Sequence, residues 1–301
     1  MNKIVHTVCP LCGSKDIKPF LSVTDFHASG ESFIIAVCSC CGFLFTQGAP
    51  AGEEMDEYYK SVTYLPHNDQ RRGLIAQLYY MVRRYMLGRK AQMIEKISRL
   101  QTGKLIDIGA GTGHFAAAMQ QRGWQVVAVE KNESARMIAR DKFGLDIRPP
   151  ESLDECAHQS SYDVVTLWHV MEHLEDLNKA WTQAYDLLTP NGLLVVAVPN
   201  AASYDAARLK HYWAAYDVPR HLWHFTPDTI QQMAFKYGFL MTARHPMPFD
   251  AFYIAMLSRR NQRYRFPVIS GFVIGFSAWL RSLVKREKSS SMVYIFRKKA
   301  K

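Results

Sequence analysis

The sequence predicts an α/β fold: a doubly wound, mostly parallel sheet, preceded by a small cysteine-rich segment and interrupted late by a helical insertion. Three observations carry this. From residue 103 onward, apolar runs of strand length alternate with amphipathic segments of helix length, as a parallel sheet covered on both faces requires. One of these runs enters a glycine-rich turn, Gly109-Ala-Gly-Thr-Gly113, and an amphipathic segment follows. Five of the six cysteines fall within the first 41 residues.

The 301 residues are 48% apolar and 21% charged, the balance of a folded globular chain. That excludes wholesale disorder, a collagen-like repeat and a polytopic membrane protein. The opening MNKIVHTVCP has no continuous apolar stretch, so a cytoplasmic, reducing setting is expected. The formal charge is +10, but residues 251–301 hold 12 bases and one acid, Glu287, against 25 bases and 26 acids elsewhere. A neutral body argues against extensive phosphate contact, so nucleic acid is not the expected partner. The basic tail points to something local, such as a membrane surface, a phosphorylated substrate or simple solvation.

The cysteines write Cys9-Pro-Leu-Cys12-Gly and, after 25 intervening residues, Cys38-Ser-Cys-Cys41-Gly. Two such knuckles bring four thiolates within tetrahedral reach of one Zn²⁺, a closed and therefore structural site. A pair of disulfides is the alternative, disfavoured by the reducing setting. Cys40 could replace a neighbour or sit idle. The arrangement resembles a zinc ribbon over residues 1–50, with Ser32–Cys38 and Gly42–Phe45 as its strands. Gln47–Gly52 reads as a linker, and residues 51–102 as a helical linker or lid in which Leu74, Leu78, Met81, Val82 and Tyr85 fall near helical spacing.

In residues 103–301, strands are expected at Lys104–Ile108, Gln125–Val129, Leu145–Ile147, Asp163–Leu167, Leu193–Val198 and Met292–Phe296. Thr226-Pro-Asp-Thr229 opens a helix with a capping residue and Pro in its first turn, ending at Gly238. The glycines at 109, 111 and 113 permit a tight strand-to-helix turn and close approach of a ligand. Glu130 ends the next strand, 21 residues after Gly109, where a carboxylate can accept both hydroxyls of a ribose. A dinucleotide fingerprint would place its third glycine at 114, which is His114.

The segment Leu105–Gly113, with Asp107, resembles the first motif of the class I S-adenosylmethionine-dependent methyltransferases. The likeness continues in order through Glu130, Tyr162–Leu174 and Leu188–Asn200. It implies a seven-stranded Rossmann-like sheet, with Gly109, Gly111 and Gly113 facing the methionine part of S-adenosylmethionine and Asp107 ordering the loop. It also implies an adenine pocket near Ser152 and Leu153, with Trp168 or His169 on its other side; core packing is the competing role for Leu153 and Trp168. Two further stretches, Tyr58–His67 and Asp217–Thr226, resemble a bacterial methyltransferase group with N-terminal zinc knuckles, in which the first forms a lid over the cofactor.

Five of the 11 histidines follow the strands that would flank an acceptor: His169, His173, His211, His221 and His224. On a helix, His169, Glu172 and His173 would share a face. His169 is the expected general base or orienter, since a neutral imidazole suits that work at pH 7. His173, His221 and His224 complete the candidate catalytic set. With His224 the group could instead hold a second, catalytic metal, as in certain metal-dependent methyltransferases that the spacing resembles; His173 could equally brace the turn.

Phe266–Leu280 is apolar on nearly every side and bracketed by arginines and lysines. It is shorter than the roughly 20 residues of a membrane span. Residues 249–288 are therefore expected as a helical insertion, either capping the acceptor or touching a membrane surface through 266–288. The function expected is methyl transfer to a small-molecule acceptor such as a sugar, a lipid-linked precursor or a secondary metabolite. The alternatives are an RNA- or protein-modifying enzyme that grips its target through the ribbon, and a binding module without chemistry.

Overall fold

A computed structural model describes residues 3–60, 74–157 and 162–299. Residues 61–67 of the expected lid, and the side chains of Leu74 and Leu78, lie outside the described residues.

Five strands come first: β1 (Lys3–Ile4), β2 (Ile17–Thr24), β3 (Ser32–Cys38), β4 (Leu44–Gln47) and β5 (Ala49–Pro50). Helices α1 (Glu53–Lys60) and α2 (Leu74–Ser98) follow. The alternation then begins with β6 (Lys104–Ile108), α3 (His114–Gln120), β7 (Gln125–Val129), α4 (Glu133–Phe143), β8 (Ile147–Arg148), α5 (Ser152–Ala157), β9 (Tyr162–Trp168), α6 (Leu177–Leu187) and β10 (Leu188–Pro199). It closes with α7 (Tyr204–Leu209), β11 (Trp223–His224), α8 (Pro227–Lys236), β12 (Phe239–Pro246), α9 (Asp250–Asn261), α10 (Pro267–Val284) and β13 (Ser291–Lys298).

Seven strands form one mostly parallel sheet in the order β12-β13-β10-β9-β6-β7-β8. The central strand β6 pairs in parallel with β7, Leu105 opposite Val126, and with β9, Leu105 opposite Val164. It is buried from Leu105 to Ile108, which is why it reads as a continuous apolar run rather than an alternation. Asp107 is the charged exception. The ends of the helices follow local chemistry. Asn132 caps α4 by accepting the Ala135 N–H, and Thr226 and Thr229 form a reciprocal capping box at α8 with Pro227 in the first turn.

A second sheet of four strands has the order β11-β4-β3-β2. Its β2 is absent from the sequence reading, and the reason is visible. The strand carries Pro19 at a bulge, exposes Lys18, Pro19 and Phe20, and lies at the sheet edge, where Pro is tolerated. β12 was likewise not separated from its surroundings; it too is an edge strand, with only Phe239 fully buried.

Two compact units result. One comprises residues 1–64, 169–180 and 196–295, and the other residues 65–168, 181–195 and 296–301. The first has a core in which Val23, Phe33, Ile35 and Leu44 meet Trp213, Tyr216, Val218 and Ile254. In the second, Ala116, Ala117, Ala128, Ala139, Leu145 and Ile147 pack together beneath the glycine turn.

Candidate functional site

The glycine turn lies in the second unit. Gly109, Gly111 and Gly113 all have left-handed backbone, with φ of 72°, 54° and 75°. The Gly109 and Ala110 N–H groups donate to the Val129 carbonyl at 2.8 and 3.0 Å, so the turn is pinned to the end of β7. Glu130 completes it: Oε2 accepts the Gly111 N–H and Oε1 the Asn132 N–H, both at 2.8 Å. A Cβ at Gly111 would meet nothing within 4 Å, so the space above the loop is open, whereas one at Gly113 would lie 2.8 Å from Leu145 Cδ1. Gly113 thus serves packing, while Gly111 borders open space.

Asp107 sits under this loop, 1% exposed, and accepts the Thr166 hydroxyl at 2.6 Å. Burial pushes its carboxyl up to about 7, and Thr166 and Lys90 only partly offset that. Buried polar atoms of this unit without a hydrogen-bond partner include Thr112 Oγ1 in the turn and Trp168 Nε1 at the end of β9, with Trp124 Nε1 another. Buried polar atoms are normally satisfied, so an orphaned hydroxyl and an orphaned indole N–H fit a site built for a polar ligand. Trp168 meets the edge of Phe115 with 5.2 Å between ring centroids, and Lys90 Nζ lies 3.9 Å from its ring centre. Sequence reasoning missed Lys90, since nothing in the pattern of α2 distinguishes it from a solvated base. Leu153 is buried in the first turn of α5.

The histidines lie in the first unit. His169 does not start a helix: its φ is +58°, and only Met171–His173 forms a single 3₁₀ turn. The turn still brings His169 and Glu172 together. His169 Nδ1 is 3.3 Å from Glu172 Oε1, and its Nε2 is 3.3 Å from Asp250 Oδ2 on α9. Burial alone would lower the His169 pKa, but Asp250 and Glu172 outweigh it and raise it to about 9. Both ring nitrogens thus face carboxylates that favour the imidazolium, whereas the expected general base is neutral. Asp250, its second partner, was hidden in the sequence at the start of a segment read only as apolar and basic.

His173 Nδ1 lies 3.1 Å from the Arg220 carbonyl and 3.0 Å from the Tyr59 hydroxyl. Burial, and then the charge of His221, lower its pKa to about 4, so it is neutral. His221 packs edge-on against His173 and directs Nδ1 at the Ala215 carbonyl, 2.9 Å away. His224 stands apart: it is buried in β11, its Nε2 lies 3.0 Å from the Thr46 hydroxyl, and burial lowers its pKa to about 3. His224 is not part of the group formed by Glu172, His173 and His221. The ligand atoms of Glu172, His173 and His221 lie within 4.8 Å of one another, and Glu172 Oε2 is buried without a partner. That trio, with His221 in place of His224, could hold a cation. Beside it, Arg220 is 1% exposed and reaches Asp217 at 2.6 Å, Asp25 at 3.0 Å and the Tyr58 carbonyl at 3.2 Å.

The sulfurs of Cys9, Cys12, Cys38 and Cys41 also lie within 4.8 Å of one another. The nearest pairs, Cys9–Cys41 and Cys12–Cys38, are 3.5 Å apart, too far for a disulfide bond. Burial pushes the Cys38 thiol up, but the backbone N–H groups of Cys41 and Cys40 prevail and bring it to about 7. Cys41 is pushed up instead, by burial and then by its three thiol neighbours. Four thiols crowded so that they resist joint ionisation are a donor set that a divalent cation would relieve. Cys40 is not one of this set and is exposed.

Comparisons with known proteins agree on one family. A family model described as "Methyltransferase domain" matches residues 82–243. Ubiquinone biosynthesis O-methyltransferase from Rhodopseudomonas palustris (strain HaA2) is 27% identical over 166 residues, 52% of this chain and 66% of that protein. The enzyme of the same name from Ruegeria pomeroyi is 32% identical over 140 residues, 42% of this chain and 56% of its own. The chain thus spans between half and two thirds of the length of these relatives. Among solved structures, one from Galdieria sulphuraria named for sarcosine and dimethylglycine methylation aligns with a TM-score of 0.51 at 14% identity, over 74% of this chain and 88% of that one, a likeness of fold. The family model covers more than half of the chain, in the region that holds the glycine turn, Glu130 and Trp168. The chain belongs to the S-adenosylmethionine-dependent methyltransferase family.

Proposed function

We propose that this protein methylates a small-molecule acceptor, on oxygen as the names of its relatives describe for themselves. The observation that carries the reading is the turn at 109–113, with its orphaned Thr112 hydroxyl and its Glu130 carboxylate closed only by backbone N–H groups. S-adenosylmethionine, when bound, supplies a methyl group on a sulfonium that is already a good leaving group. The protein's task is then mainly to hold the two reactants in line. Gly111 gives the ligand room, Glu130 accepts ribose hydroxyls, and Trp168 offers a ring face and an indole N–H. Leu153 is the buried wall proposed for adenine.

His169, charged and bonded to two carboxylates, orients Asp250 and Glu172 rather than taking a proton. His173 and His221, with Glu172, form the buried polar group that faces the acceptor in this reading. Cys9, Cys12, Cys38 and Cys41 hold a structural Zn²⁺. Calorimetry with S-adenosylmethionine tests the cofactor assignment. Glu130→Ala should weaken binding by about 1.5–3 kcal/mol, the scale of a charged hydrogen bond. Unchanged affinity would reject it. Incubation with methyl-labelled cofactor and fractionated small-molecule extract tests the acceptor class, and label appearing only in macromolecules would overturn it.

A further inference from the structure

The pair α9 and α10 forms a hairpin with two unlike faces. The inner face of α10 is small and committed to the protein. A Cβ at Gly271 would lie 2.5 Å from Met256 Cα, and one at Gly275 would lie 2.7 Å from Phe252 Cα, so only glycine permits this close crossing. Ile274, Ala278 and Ser282 continue the buried stripe. The outer face is large and apolar. Ile269, Phe272, Val273, Phe276, Leu280 and Leu283 are all exposed, between 43% and 67%. Their spacing of three and four residues lines them along one side of the helix. A contiguous apolar stripe of this size on a chain's surface marks a docking site.

Charge selects the occupant. Exposed bases stand at both ends of the stripe: Arg263 and Arg265 before the helix, Arg281 and Lys285 at its close. The only acid in residues 251–301 is Glu287, which pairs with Arg244. A second copy seated on this face, in either direction, would bring cations against cations. An anionic lipid surface accepts both features, taking the apolar side chains between acyl chains and the bases among headgroups. Tyr264 and Phe266, exposed at the helix entry, suit that boundary. By length and composition α10 could cross a membrane, but its packing on α9 favours an in-plane position. The 18 residues of α10 are about 27 Å long against a hydrocarbon core of about 30 Å, and one side is already packed on α9.

We infer that α10 is an in-plane membrane-docking helix that seats the protein on anionic bilayers through its outer apolar face. The test is flotation with vesicles of phosphatidylcholine alone and of phosphatidylcholine with phosphatidylglycerol, at low and high salt. The expected result is binding to the anionic vesicles, weakened by salt. Phe272→Ser with Phe276→Ser should reduce that binding at least about tenfold, since two exposed rings lose their insertion. Arg263→Gln and Lys285→Gln should each weaken it about fivefold, the worth of one base near an anionic surface. Thermal unfolding of each variant shows that the fold is intact, because all four side chains are exposed. Absence of binding, equal binding to both vesicle types, or binding indifferent to the phenylalanine pair would each overturn the inference. So would concentration-dependent dimerisation that the same pair abolishes in the absence of lipid binding.

Discussion

His169 shows how a residue's role follows from its neighbours rather than from its type. Its spacing to Glu172 was legible in the sequence; its contact with Asp250, 81 positions away, was not. The two carboxylates raise its pKa from 6.5 to about 9. A raised pKa means the folded state holds the proton more tightly, so the associated stability is complete below about pH 6.5 and disappears as pH rises through about 9. NMR titration of the His169 ring should therefore give a midpoint well above that of an exposed histidine, and Asp250→Asn should bring it down. A midpoint near 6.5 in the wild type would remove the imidazolium from the argument. Asp107 runs the other way. Burial raises its carboxyl to about 7, so the folded state pays for ionisation and loses stability as pH rises from about 4 to 7, with little further change above. Asp107→Asn should abolish that slope, which for one group is at most about 1.4 kcal/mol per pH unit. Chemical denaturation at pH 5 and pH 7 measures it, and parallel curves for wild type and variant would refute the assignment.

At the scale of elements, the buried centre of the sheet was readable and its margins were not. β6 and β7 occupy the residues that their apolar runs indicate, and β9 and β10 contain theirs, because strands buried on both faces leave unbroken Val, Ile and Leu runs. β2 and β12 escape because edge strands need only one buried face and tolerate Pro and polar residues. The turn between β6 and α3 was readable for a different reason: its glycines are required by backbone geometry. Even there the sequence does not say which glycine does what. At Gly113 an alanine would meet left-handed strain and three side chains, the nearest at 2.8 Å; at Gly111 it would meet strain alone. Gly111→Ala should therefore cost about 1–2 kcal/mol of stability, and Gly113→Ala a further 1–3 kcal/mol or so for overpacking. Their effects on ligand binding should reverse, with Gly111→Ala the more harmful because its methyl group enters the open space above the loop. Denaturation and calorimetry on the two variants separate these effects, and equal losses in both assays would contradict the division of labour.

At the scale of the molecule, the cysteine knuckles belong to a larger structure than their spacing suggests. The sequence places a ribbon within residues 1–50, yet β4 pairs on its outer side with β11, Phe45 opposite Trp223 and Leu44 opposite His224. Thr46 reinforces this join by donating twice: its N–H to the Leu222 carbonyl at 2.9 Å, and its hydroxyl to the His221 carbonyl at 2.7 Å. Arg220 adds buried ion pairs to Asp25 and Asp217. Such pairing between distant segments leaves no periodic signal, so no reading of one sequence could supply it. It also makes a claim about cooperativity. If the cysteines hold a structural Zn²⁺, removing it should loosen not only the knuckles but every strand hydrogen-bonded to them. Hydrogen exchange after chelation, or in Cys9→Ser, should show the amides of β3, β4 and β11 losing protection together, while those of β6 and β7 keep theirs. Elemental analysis of the untreated protein should give about one zinc per chain, as a four-thiolate site requires. Protection retained in β11 after zinc loss would mean that the ribbon melts alone and that residues 1–50 form a separable domain after all.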